Sequence, residues 1–153
     1  AEGTDEVEFM ISMNPGEPTR PLAAVASGGE LSRIMLAIKA VMADKDEIET
    51  LIFDEIDTGI SGITAGKVGD RLRLIGQSRQ VICITHLPQI AAAADHHFLI
   101  RKKAEGTSVR TDVEMLDEAA SVEELARLLG GANVTERVME SAKELKELAK
   151  CER

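Results

Sequence analysis

The chain has 153 residues, of which 44% are hydrophobic and 29% charged, a balance typical of one globular domain with its own core. Its net charge of −9 argues against a main DNA-contacting surface, although Arg101-Lys102-Lys103 leaves room for a local basic patch. Three Phe residues and no Trp or Tyr predict an aliphatic core and disfavour a base-stacking platform for single-stranded nucleic acid.

Cysteine content and hydropathy indicate the compartment. The two cysteines do not suggest a disulfide framework, so a reducing cytoplasm is the simpler expectation. No apolar run approaches the roughly 20 residues that span a bilayer, and no signal peptide is visible. The chain begins at Ala1 without Met, which indicates a piece of a longer protein. We expect a single domain over residues 1–153, from a cytoplasmic protein with no membrane partner.

Apolar spacing predicts the first elements in chain order. Alternation over 7–13 indicates a half-buried strand, the prolines of 14–26 indicate a loop, and residues 28–43 have helical spacing. The runs 50–53 and 81–85 are almost wholly apolar, which is typical of strands buried on both faces of a parallel sheet.

A helix over 63–76 separates these two runs, so we expect a right-handed βαβ unit. Pro88 is expected to open a short helix over 88–94. Strands over 97–100 and 109–115 would turn at Gly106. The pattern predicts an α/β fold with a mainly parallel sheet flanked by helices.

Two helices are expected to close the chain. Ser121 and Glu124 form a capping box for a helix over 122–129. After a Gly-Gly break, Asn133 is expected to cap a last helix over 134–150.

Polar residues follow both apolar runs, where ligands of open α/β sheets bind. The first run ends in Asp54-Glu55 and the second in Thr85-His86, so we expect two carboxylates and a histidine at the same edge of one sheet. An Asp that closes an apolar strand commonly holds Mg²⁺ near nucleotide phosphates, Glu55 is a candidate general base, and His86 a candidate phosphate contact. The alternatives are that the carboxylates cap the next helix or face solvent, and that His86 is a hydrogen-bonded turn residue.

A second candidate site is the helix start Ser27-Gly28-Gly29-Glu30-Leu31-Ser32. Ser27 and Glu30 have the spacing of a capping box. Two glycines would destabilise a helix, but they suit a ligand that approaches the backbone, and N–H groups at a helix start bind anions. The alternative is an ordinary helix entry after a proline-rich loop.

Two apparent motifs are rejected. Residues 62–67 look like a phosphate-binding loop, but that pattern needs Gly at position 61 and Ser or Thr at 68, where Ser61 and Val68 stand. Cys83 and His86 are three residues apart on a strand, so they point to opposite faces and do not form a zinc pair.

In this order the residues resemble the C-terminal lobe of ABC-type P-loop ATPase heads. Residues 27–32 resemble the signature sequence, 51–55 the Walker B strand with its catalytic glutamate, 57–61 the D-loop, and His86 the switch histidine. More narrowly, the sequence is similar to the RecN family of SMC-like bacterial DNA repair ATPases. This similarity lies in residues 26–33, 53–62, 84–90 and 129–135. A transporter subunit would more commonly have Gln at position 30.

The resemblance implies a head that dimerises with a second copy around ATP and Mg²⁺. It also implies that the full-length protein acts on DNA, in recombinational repair of double-strand breaks at the nucleoid. Asp54 would help hold Mg²⁺, Glu55 would activate water, His86 would support the γ-phosphate, and Asp57 would communicate across the dimer. Residues 27–30 would meet the nucleotide of the opposite head.

The phosphate-binding loop and the coiled coil of that family are absent from these residues. The resemblance therefore implies that the chain needs its own N-terminal head lobe as a partner and is inactive as an ATPase alone. The competing interpretations are a nucleotide-binding subunit of an ABC transporter and a non-catalytic interaction module of the same fold.

Overall fold

The computed structural model describes residues 3–12, 14–25, 27–42, 47–105 and 108–151. Their elements are, in chain order, β1 (Met10–Ile11), β2 (Arg20–Pro21), α1 (Leu22–Val25), α2 (Gly28–Val41), β3 (Thr50–Phe53), α3 (Gly62–Gly76), β4 (Gln80–Cys83), α4 (Pro88–Ala92), β5 (Phe98–Glu105), β6 (Ser108–Met115), α5 (Glu118–Gly130) and α6 (Glu136–Cys151). The predicted turn at Gly106 and the predicted element ends at Met13, Ala26 and Ala43 lie outside the described residues.

The parallel strand–helix–strand unit is confirmed, because β3 and β4 pair in parallel with Phe53 opposite Cys83, and α3 lies between them in the chain. Burial on both faces of these strands was a wrong prediction. Leu51 and Phe53 are buried, whereas Ile52 is 68% exposed and Ile82 is 45% exposed. The reason is that the helices pack on one face only of this two-stranded sheet, and its other face stays open in the described part of the chain.

The main core lies between that buried face and the helices α2 and α3. Helix α3 places apolar residues at helical spacing on its inner side, which explains why this segment folds as an amphipathic helix. The buried members of the core are Leu36, Leu51, Phe53, Ile56, Ala65, Val68, Leu72, Ile75 and Ile90.

A second, smaller core joins α4, α5 and α6 through Ala91, Ala92, Leu125, Ala126 and Ala142. The predicted helix starts here were wrong in detail. Helix α5 begins at Glu118, where the Asp117 side chain accepts a hydrogen bond from Ala120 N–H at 2.8 Å.

Ser121, expected as the N-cap with Glu124, is instead buried inside α5, because Asp117 satisfies the helix start one turn earlier. At the next helix the Thr135 hydroxyl, rather than Asn133, accepts a hydrogen bond from Val138 N–H at 3.4 Å.

Strands β5 and β6 form an antiparallel hairpin with two unlike faces. On one face Phe98 pairs with Met115 and Ile100 with Val113, and all four side chains are more than half exposed. The other face carries the Arg101–Glu114 and Lys103–Asp112 ion pairs at 3.7 and 2.9 Å. Glu114 and Asp112 of β6 therefore offset the positive charges of two residues in the basic run Arg101-Lys102-Lys103.

The predicted strand over 7–13 is reduced to the short pair β1–β2, and β2 and α1 form within the predicted loop over 14–26. Val7 and Phe9 are 79% and 68% exposed, and Pro21 in the partner strand has no N–H to donate, so the ladder is short. Among the described residues, no helix combines the length and apolar character needed to cross a membrane.

Candidate functional site

The chain leaves β3 through a tight loop that carries the predicted catalytic carboxylates. Ile56 has no exposed surface and anchors this loop in the core. Thr58 N–H donates to Glu55 O at 3.0 Å, and Glu55 N–H donates to Asp54 Oδ1 at 2.9 Å. Asp54 and Glu55 are both exposed. Glu55 has a φ of 56°, a left-handed conformation that costs a non-glycine residue on the order of 1 kcal/mol or more.

Asp57 connects this loop to the end of β4. Its side chain is 4% exposed, and its Oδ2 accepts hydrogen bonds from Thr85 Oγ1 at 2.7 Å and from His86 N–H at 2.8 Å. His86 Nδ1 lies 2.9 Å from the same oxygen, while the His86 side chain remains 73% exposed. The expectation that the two strand ends meet at one edge of the sheet is confirmed by these contacts.

The ionisation of Asp57 follows from this setting. Burial opposes its charge, but the hydrogen bonds from Thr85 and from the His86 backbone, together with the nearby His86 ring, outweigh burial and hold the pKa of Asp57 below its ordinary value. The carboxylate is therefore an ionised acceptor inside the chain. Its predicted role toward a second head stays a prediction.

The capping box at the start of α2 is confirmed. Glu30 N–H donates to Ser27 Oγ at 3.4 Å, and Ser27 N–H donates to Glu30 Oε2 at 2.8 Å. The bond from the Ser27 backbone is the main reason that the pKa of Glu30 is lowered. The capped helix start lies beside the loop after β3.

The two glycines of this helix start face that loop closely. A Cβ atom on Gly28 would lie 2.5 Å from Glu55 Oε2, and one on Gly29 would lie 2.9 Å from each of Glu55 O, Thr58 Cβ and Thr58 O. The sequence suggested that a ligand requires the glycines. The structure shows that the chain's own backbone already requires Gly29.

Two residues one turn further along α2 had no predicted role, although Ser32 belongs to the candidate segment 27–32. Ser32 Oγ donates to Asp54 O at 2.9 Å, and Arg33 Nη1 donates to Ile56 O at 3.1 Å and to Thr58 O at 2.8 Å. The available signal was their helical spacing from Gly29, because residues three and four positions apart share one face of a helix.

The part of the chain that the structure describes offers few donor groups for a metal ion. The described residues contain no group of three or more His, Cys, Asp and Glu side chains that could hold a metal. The exposed carboxylate of Asp54 nevertheless fits Mg²⁺, which takes one or two protein carboxylates and completes its shell with phosphate oxygens and water. Burial, and then the charges of Asp57 and Asp54, raise the pKa of Cys83 to about 12, so its thiol is a poor ligand.

The adjacent histidines His96 and His97 do not form a pair. His96 is exposed, whereas His97 Nδ1 lies 3.0 Å from Ser121 Oγ in a polar pocket that Lys146 also lines. Burial and then the Lys146 charge lower the pKa of His97.

The fold has a counterpart among solved structures. It matches a chain from work on the ATP-driven dimerisation and DNA-stimulated activation of SMC ATPases, with a TM-score of 0.51 and 18% identity over 81% of each chain. The α/β architecture with its parallel β3–β4 pair is therefore a fold that the chain shares with that structure.

Sequence comparison finds relatives that share one name. The chain is 51% identical over 147 residues to the DNA repair protein RecN of Halalkalibacterium halodurans, and 50% identical over 143 residues to that of Vibrio cholerae. These matches cover 96% and 94% of this chain but 26% of each relative, so the chain spans about a quarter of their length. No protein-family model matches it. Over nearly its whole length the chain is therefore similar to one segment, about a quarter, of these RecN proteins.

Proposed function

We propose that the chain is the C-terminal half of an SMC-like ATPase head, which binds and hydrolyses ATP when its own N-terminal lobe supplies the phosphate-binding loop. One observation carries this proposal. The start of α2, the loop 54–58 and the pair Thr85–His86 converge at the carboxyl edge of the parallel pair β3–β4. This edge is where α/β sheets bind their ligands.

The predicted site residues at this edge have proposed roles. Mg²⁺, when bound, offsets charge on the ATP phosphates, and Asp54 presents a carboxylate oxygen to it. Glu55 accepts the proton of the attacking water. Asp57 holds His86 through Nδ1, which leaves the exposed part of the ring to contact the γ-phosphate. The start of α2, over residues 27–30, meets the nucleotide of a second head in a homodimer, where backbone N–H groups and the helix dipole favour an anion.

The open apolar surfaces support the proposal of an N-terminal lobe as a partner. Ile52 and Ile82 on the uncovered face of β3–β4 are 68% and 45% exposed, and the apolar face of the β5–β6 hairpin is also open. Surfaces of this kind are normally covered in a complete domain. Since the chain spans about a quarter of its relatives, the remainder of the same protein is the partner we propose for them.

The proposed biological role is recombinational repair of DNA double-strand breaks by the full-length protein, at the bacterial nucleoid in the cytoplasm. The name of the relatives, DNA repair protein RecN, supports this role. The acidic charge of −9 and the ion pairs of the hairpin favour DNA contact through other parts of the full-length protein.

The test compares Glu55→Gln with wild type in the full-length protein. We expect ATP hydrolysis to slow by at least about a hundredfold, as on loss of a general base, while ATP-driven dimerisation persists. Glu147→Gln, which changes an exposed carboxylate on α6, is the matched control. Near wild-type turnover in Glu55→Gln would remove Glu55 from the mechanism.

The wild-type protein separates the competing functions. Stimulation of ATP turnover by DNA favours the repair ATPase over a transporter subunit. Absence of turnover when both lobes are present and folded favours a non-catalytic interaction module.

A further inference from the structure

The loop that carries Asp54, Glu55 and Asp57 is held from outside by one face of α2. Ser32 donates to the carbonyl of Asp54, and Arg33 donates to the carbonyls of Ile56 and Thr58. Partners more than 20 positions apart in the chain therefore hold carbonyl groups at both ends of this short loop.

The loop needs such support because its backbone is strained. Glu55 has a φ of 56°, and a non-glycine residue keeps such a conformation only when its surroundings impose it. Ile56 fixes the apolar side of the loop in the core. Arg33, which is part-buried, holds the polar side through the two carbonyls that flank Asp57.

We propose that Arg33, assisted by Ser32, is a positioning residue for ATP hydrolysis, which sets the orientation of Glu55 through the backbone of residues 54–58. This inference rests on the proposed function. Displacements of about 1 Å can slow an enzyme by about a hundredfold, so loss of this support acts on the chemical step. Nucleotide affinity changes little, because Arg33 acts on the loop and not on the nucleotide.

The test uses Arg33→Met, Arg33→Lys and Ser32→Ala in the full-length protein, with Arg71→Met on the exposed side of α3 as the matched control. We expect Arg33→Met to lower kcat about ten- to a hundredfold and to change KM less than about threefold. Arg33→Lys retains a cation with several N–H donors, and we expect it to restore most of kcat. Ser32→Ala removes one bond of the three, and its kcat is expected to fall about threefold or more.

Hydrogen exchange of the Thr58 and Ile60 amides gives a readout that does not depend on turnover. Exchange is expected to accelerate in Arg33→Met and to stay unchanged in Arg71→Met. Wild-type kcat in Arg33→Met, alongside a slow Glu55→Gln, overturns the positioning role and leaves the proposed function standing. If Arg33→Met exchanges faster but the wild-type protein hydrolyses no ATP, Arg33 does support the loop and the proposed function is wrong.

If Arg33→Met does not fold, Ser32→Ala and Arg33→Lys decide the matter. The proposal is overturned if Ser32→Ala has wild-type kcat and wild-type exchange, and if Arg33→Lys loses kcat only in proportion to its folded fraction. Arg33 is then a purely structural residue.

Discussion

Replacing Gly29 by alanine tests whether the helix start of α2 needs glycine for the chain's own packing. The added Cβ would lie 2.9 Å from Glu55 O, Thr58 Cβ and Thr58 O. Two of these atoms are backbone, in a loop anchored by the fully buried Ile56. The loop therefore has to move as a whole, because no flexible side chain can rotate out of the way.

The magnitude follows from two opposed effects. Overpacking a tight contact costs about 1–3 kcal/mol, and the higher helix propensity of alanine returns at most about 1 kcal/mol. We expect Gly29→Ala to lower the free energy of unfolding by about 1–2 kcal/mol. For a chain of this size, that corresponds to a fall in Tm of about 2–8 °C.

The assay is urea unfolding followed by circular dichroism, without nucleotide, with Gly66→Ala as the matched control. Gly66 lies in α3 with nothing within 4 Å of an added Cβ, so its replacement is expected to stabilise the chain by about 0.5–1 kcal/mol. If Gly29→Ala is as stable as wild type, the close loop contact is not what requires glycine. A ligand that approaches the helix start would then be the better explanation.

Two further predictions concern ionisation at the site. Because hydrogen bonds hold the pKa of Asp57 below its ordinary value, its charge stabilises the fold above pH of about 4, and this contribution is lost as the pH falls further. The difference in unfolding free energy between wild type and Asp57→Asn should therefore shrink between pH 5 and pH 3. A constant difference would contradict the hydrogen-bonded carboxylate. Cys83 is part-buried with a pKa of about 12, whereas Cys151 is exposed. A thiol reagent at pH 8 should therefore modify only Cys151 in the native chain and both cysteines after unfolding. Rapid labelling of Cys83 in a native Cys151→Ser variant would contradict its burial.

The candidate site was largely predictable where it depends on local sequence. Asp54, Glu55 and His86 were expected at one edge of a parallel sheet because each follows an apolar run, and the structure places the loop of Asp54 and the turn of His86 together through Asp57. The roles of these residues stay predictions. Arg33 was missed because its partners, the carbonyls of Ile56 and Thr58, leave no trace in residue type.

Sequence alone determined the order and type of the main elements and the capping box at Ser27 and Glu30, because helical spacing, apolar runs and caps depend on neighbours within about one or two turns. The tertiary structure alone decided which face of β3–β4 is buried, why Gly29 must lack a side chain, and where the carboxylate of Asp57 points. Those features depend on which distant segments pack together, and pairwise contacts across tens of residues are not encoded in any local period of the chain.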